Sequence, residues 1–152
     1  MLVQILMNNN YSSIPPLTLI TEQEIVKLEG ILREIPETWQ ITSISGELST
    51  FLIASGEVDR SRAARDWLLD ELRKKSPGPV VCRDVDLLFH PTLNLDPLVL
   101  FRQASRQVKL VVLWPGNYSN GVISYAVPEH RHYRFWKDLQ DIDIKGVNDA
   151  LQ

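Results

Sequence analysis

The chain has one cysteine, Cys82, in 152 residues, so no internal disulfide can staple it and stability must come from a packed core. A lone thiol suits a reducing compartment, and the cytoplasm is the expected address. Positive charge is also scarce. Sixteen Lys and Arg against 19 Asp and Glu leave a formal net charge of -3, so any nucleic-acid contact must rest on a local basic patch. Long apolar runs are missing too. The opening MLVQILM stretch has no basic flank and is too short to span a bilayer, so no membrane association is expected. A further absence bears on chemistry: no G-x-x-x-x-G-K-[ST] loop for cradling phosphates occurs anywhere.

What is present describes one compact domain, since 44% hydrophobic content over this length supports a single core. Residues 1–16, polar from Asn8 and ending in Pro15-Pro16, read as an amino-terminal arm. Residues 17–137 read as the domain proper, and 138–152 as a polar tail that frays. Leu17–Ile20 has strand character. Thr21 with Glu24 three positions on forms a capping box, predicting a helix to about Ile35 that buries Ile25, Leu28, Leu32 and Ile35. Trp39–Ile44 alternates as a second strand, and Ser45–Ala54 reads as a short helix. Asp59 caps a longer helix to about Lys75 with Ala64, Trp67, Leu68 and Leu72 on one face. Val80–Cys82 is a strand apolar on both sides, which makes Cys82 an inert core thiol. Asp96-Pro97 starts a helix that carries Leu98 and Phe101 inward and ends near Ser105. Lys109–Trp114 is the strongest strand, with Pro115-Gly116 predicted to end it in a turn, and Gly121–Val127 offers one more. Strands alternating with helices imply a three-layer α/β sandwich around a mostly parallel sheet.

In such a sheet, ligands bind beyond the carboxyl ends of the strands. Asp84 and Asp86 stand at the exit of the third strand, where a Walker B carboxylate would hold magnesium. That role needs a phosphate loop beside it. Between Ile20 and the first helix there is no glycine, and Lys27 is the first lysine of the domain proper. Glu22 and Glu24 put negative charge where a triphosphate needs positive potential. No catalytic residue is therefore expected, unless nucleotide is used through Asp84 and Asp86.

The runs Asp84–Pro91, Leu95–Leu98, Leu110–Tyr118 and Gly121–Ala126 together resemble the P-loop protein family of BREX phage-defence systems, the BrxF type. The resemblance covers roughly residues 41–136, with Trp114-Pro115-Gly116 and the tyrosine-bearing segment after it as its most specific pieces. It implies a P-loop NTPase fold of the ASCE or AAA-like type. It also implies a place in a multi-protein anti-phage assembly alongside a large ATPase, a methyltransferase and a PglZ-type protein. The family pattern includes an intact phosphate loop that this sequence lacks, so the family's nucleotide binding does not carry over.

His90, His130 and His132 lack the accompanying cysteines or carboxylates of a metal site, so no metal is expected. The run from His130 through Arg131, His132, Tyr133, Arg134, Phe135 and Trp136 to Lys137 mixes cations with aromatics and is the expected contact surface, for a protein partner or for nucleic acid. Arg60, Arg62 and Arg65 are expected to pair with Asp59, Asp66 and Asp70 along their helix. Trp114 is expected to fill space at its strand tip. Three readings result: a non-catalytic, degenerate P-loop-fold subunit working through protein contacts without a cofactor; an unconventional Mg-ATP-binding ATPase; and a DNA-binding accessory module.

Overall fold

A computed structural model describes residues 14–56, 59–126 and 131–148. Strands β1 (Leu17–Glu22), β2 (Gln40–Ser43), β3 (Val80–Arg83), β4 (Leu110–Ser119) and β7 (Asp143–Gly146) form a parallel sheet in the order β2-β3-β4-β1-β7. β5 (Val122–Tyr125) and β6 (Arg134–Trp136) extend it as an antiparallel ribbon on the far half of β4. The helices are α1 (Ile25–Gly30), α2 (Ile44–Ser55), α3 (Arg60–Arg73) and α4 (Pro97–Ala104), with three-ten turns at Ile31–Glu34, Asp86–Phe89 and Pro91–Leu93. Among the described residues, no helix is long and apolar enough to cross a membrane.

The two-residue period of the strands sorts their side chains into two cores. Leu17, Leu19, Val80, Cys82, Leu110 and Val112 face one way and pack against Ile44, Leu48, Leu68, Leu72, Leu98 and Phe101 from α2, α3 and α4. Ile20, Val81, Val111 and Leu113 face the other way, against Leu28 and Ile31 of the first helical segment and Val147. Helices thus cover both faces of a mostly parallel sheet, as the alternation of elements predicts. The coverage is lopsided, with three full helices on one face and a six-residue helix plus a three-ten turn on the other.

Several local predictions hold. Asp59 Oδ1 accepts from the Arg62 amide at 3.0 Å and Asp96 Oδ1 from the Val99 amide at 3.2 Å, so both aspartates cap their helices. Others are corrected. The capping box at Thr21 does not form: β1 runs on to Glu22 because it is hydrogen-bonded on both sides, with Thr21 opposite Trp114 and Gly146. The helix after it tightens into three-ten geometry after Gly30. Ile31 is buried there, and Ile25, at the start of the helix, is 48% exposed and not part of the buried stripe.

Pro115-Gly116 does not turn the chain either. β4 continues through them to Ser119, changing from parallel pairing with β1 to antiparallel pairing with β5. The reversal comes at Asn120-Gly121, both at positive φ (53° and 75°), as a two-residue hairpin loop requires. The tail from Asp138 does not fray throughout, since Asp143–Gly146 pairs with β1 as an edge strand. Ile14, assigned to the arm, is buried in the second core, and the Pro16 carbonyl accepts from the Leu110 amide at 3.0 Å, while residues 1–13 of the arm lie outside the described residues.

Candidate functional site

The carboxyl ends of β1, β3 and β4 lie side by side, and among the described residues the crevice between them is narrow. A cavity of about 40 Å³ lies among Ile25, Leu28, Asp84, Asp86, Leu113 and Pro115. That is on the order of one water molecule, against roughly 300 Å³ or more for a small-molecule site. The β1-to-α1 turn is closed by its own acid: Glu22 Oε2 accepts from the Glu24 amide at 3.0 Å. Lys27 is committed to Glu24 at 3.5 Å rather than turned to the crevice.

The two aspartates at the β3 exit have separate duties. Asp84 sits at φ 53°, outside the ordinary range for a non-glycine residue. Its Oδ2 accepts from Ser43 Oγ at 3.1 Å and its carbonyl from the Ser45 amide at 2.7 Å, while Ser45 Oγ accepts from the Leu87 amide at 3.0 Å. Asp84 therefore ties the β3 exit to the junction of β2 and α2. Asp86 points to the ribbon and accepts from the Tyr125 hydroxyl at 3.3 Å. Partial burial raises the Asp86 pKa above the usual carboxylate value; the Tyr125 hydrogen bond opposes the rise, and the negative charge of Asp84 adds to it. Burial, with Asp86 alongside, pushes Tyr125 up to about 12.

Tested against Mg-ATP, the residues present do not fit. Glu22, Glu24, Asp84 and Asp86 gather negative charge at this end of the sheet, Lys27 lies 3.5 Å from Glu24, and Lys145, opposite Ile20 on β7, lies 4.0 Å from Asp143.

No family model, curated protein or solved structure matches the chain.

Trp114 is fully buried at the crevice end of β4 and donates from Nε1 to the Ser124 carbonyl at 2.9 Å. It meets Phe89 and Trp136 edge to face at 5.0 and 5.3 Å, while Tyr125 stacks on Phe89 at 4.0 Å. This aromatic block welds the ribbon to the sheet, the space-filling role expected of Trp114.

The segment from His130 to Lys137, which contains β6, divides. His130 lies outside the described residues. Arg134 is turned inward, donating to the Leu95 carbonyl at 2.7 Å and lying 5.0 Å over the Trp136 ring. Trp136 donates to Asp96 Oδ1 at 3.0 Å. Arg131, Phe135 and Lys137 are exposed, and His132 and Tyr133 are half-buried. The fold sets His132 against His90, ring centres 5.0 Å apart, a pairing across 42 positions of sequence that no local spacing signals. Among the described residues, no group of three His, Cys, Asp or Glu side chains is placed to hold a metal ion. Arg62 and Arg65 both reach Asp66 at 3.8 Å. Asp70 instead engages Arg73, and Lys74 at 3.3 Å, and their hydrogen bonds hold its carboxyl below the usual range. Cys82 is fully buried, and burial pushes its thiol up to about 12, which suits an inert core position.

Proposed function

We propose that the chain is a non-catalytic, degenerate P-loop-type subunit of a bacterial anti-phage assembly of the BREX kind, working through contacts with other subunits rather than through nucleotide turnover. The observation that carries the non-catalytic reading is the closed crevice. The Glu22 carboxylate satisfies the Glu24 amide where a phosphate would have to sit, and the space left is about 40 Å³. The strand order supports the P-loop-type reading, because β4 lies between β1 and β3. An interposed strand at that place is what the ASCE likeness implies. The resemblance in sequence supports the assembly. Subunit contacts are supported by large apolar side chains left in solvent, Val26 on α1 (85% exposed) and Ile53 on α2 (76% exposed).

The test is the thermal midpoint of the purified chain with and without millimolar Mg-ATP. A ligand at 100 times its Kd adds roughly 2.7 kcal/mol, about 5–10 °C for a domain of this size. No shift is expected. A rise of that size would overturn the reading and promote a Mg-ATP-binding ATPase.

A further inference from the structure

Arg131, His132, Tyr133 and Arg134 close over the turn from Phe89 to Leu95 and enclose a pocket of about 250 Å³. Arg131, Arg134, His90 and His132 line it together with Asn94, Phe89 and Leu95, and among the described residues no carboxylate does. In a chain of net charge -3, two arginines on one pocket, with no carboxylate among its described lining residues, select an anion. Arg134 is already oriented by the Leu95 carbonyl and the Trp136 ring, so little ordering is lost when its remaining donors meet an oxyanion.

A second feature says which anion. Tyr133, on the pocket wall, is paired with Phe135 at 6.2 Å between ring centres and 36° between planes, and Phe135 is 56% exposed. An acidic protein side chain would use the cations and leave the rings idle. A nucleotide uses both, since its phosphate takes the guanidiniums and its base takes the aromatic faces. At about 250 Å³ the pocket suits a phosphate with part of its sugar, with the base outside on the rings. In a duplex the bases remain stacked and cannot reach such a platform.

We infer that this pocket binds single-stranded nucleic acid, holding one backbone phosphate between Arg131 and Arg134 and stacking a neighbouring base on Tyr133 and Phe135. The inference goes beyond the subunit reading and does not depend on the state of the nucleotide crevice.

The test is fluorescence anisotropy of a labelled oligothymidylate of about 15 nucleotides with the full chain, without nucleotide, in about 50 mM salt. The expected Kd is on the order of 10 μM, and log K should fall with log salt by about 0.7 per phosphate engaged. Arg131→Ala and Phe135→Ala both change exposed positions. Each should weaken binding about tenfold while the thermal midpoint stays put, and the remote, exposed Arg60→Ala should leave the affinity unchanged. A duplex of the same length should bind more weakly. No binding at low salt, or affinity unmoved by both Arg131→Ala and Phe135→Ala, would overturn the inference. So would displacement of the oligonucleotide by an equally charged polyglutamate peptide, which assigns the pocket to an acidic protein segment.

Discussion

A methyl group at position 116 has no room. A Cβ built on Gly116 would stand 1.8 Å from the Ser124 carbonyl oxygen and 3.0 Å from Trp114 Nε1. The glycine sits where β4 passes from parallel to antiparallel pairing, and the same Ser124 carbonyl takes the Trp114 indole proton. Gly116→Ala must therefore push the two strands apart and break that buried hydrogen bond. A loss of about 3 kcal/mol is expected, or a fall in Tm of roughly 6–12 °C, read by a thermal scan. A variant melting with the parent would rule out this register. Glycine at 116 is visible in the sequence, but its purpose is not. Next to Pro115 it reads as a turn, because the residue it must avoid is on another strand.

At the scale of elements, β7 shows how weakly local composition can signal a strand. Asp143-Ile-Lys-Gly146 has one β-branched residue, two charges and a glycine, yet it pairs with β1 from Thr18 to Thr21. What makes it a strand is the exposed backbone edge of β1, whose donors and acceptors need partners. Removing residues from 142 onward should leave β1 as an open edge and uncover Ile20 and Ile31 of the second core, which Val147 helps to close. A drop in Tm of more than about 10 °C, or loss of a cooperative transition, is expected. A frayed tail would be removed at no cost. By contrast, α3 and α4 are legible within a few residues because their caps, Asp59 and Asp96, and their apolar spacing are local. The first helix was misread because its cap residue, Thr21, belongs to a strand held from both sides.

Across the whole molecule, the ribbon and the sheet are joined through Phe89, Trp114, Tyr125 and Trp136, and Tyr125 also reaches Asp86 at the β3 exit. This junction gives the fold an alkaline signature. Tyr125 ionises at about 12 in the folded chain and near 10 when unfolded. Between those values the folded state holds the proton that the unfolded state has lost, so stability falls as pH rises. The loss is on the order of 2 kcal/mol by pH 12. Tyr125→Phe should start from a slightly lower Tm at pH 8 and show a shallower fall between about pH 10 and 12. Parallel slopes in the two proteins would place the hydroxyl in water instead.

By itself, the sequence determined the coarse fold class, a mostly parallel sheet flanked by helices, the helix caps at Asp59 and Asp96, the two-sided burial of β3, and the acidic character of the β1-to-α1 turn at Glu22 and Glu24. Each of these rests on local periodicity, on capping chemistry, or on the charge of neighbouring residues. Tertiary structure decided the rest: the length of β1, the passage of β4 through Pro115-Gly116, the recruitment of β7, the division of labour between Asp84 and Asp86, and the meeting of His90 with His132. Those outcomes depend on which backbone edges and side chains lie opposite one another once the chain has folded, and local periodicity and capping do not say which those are.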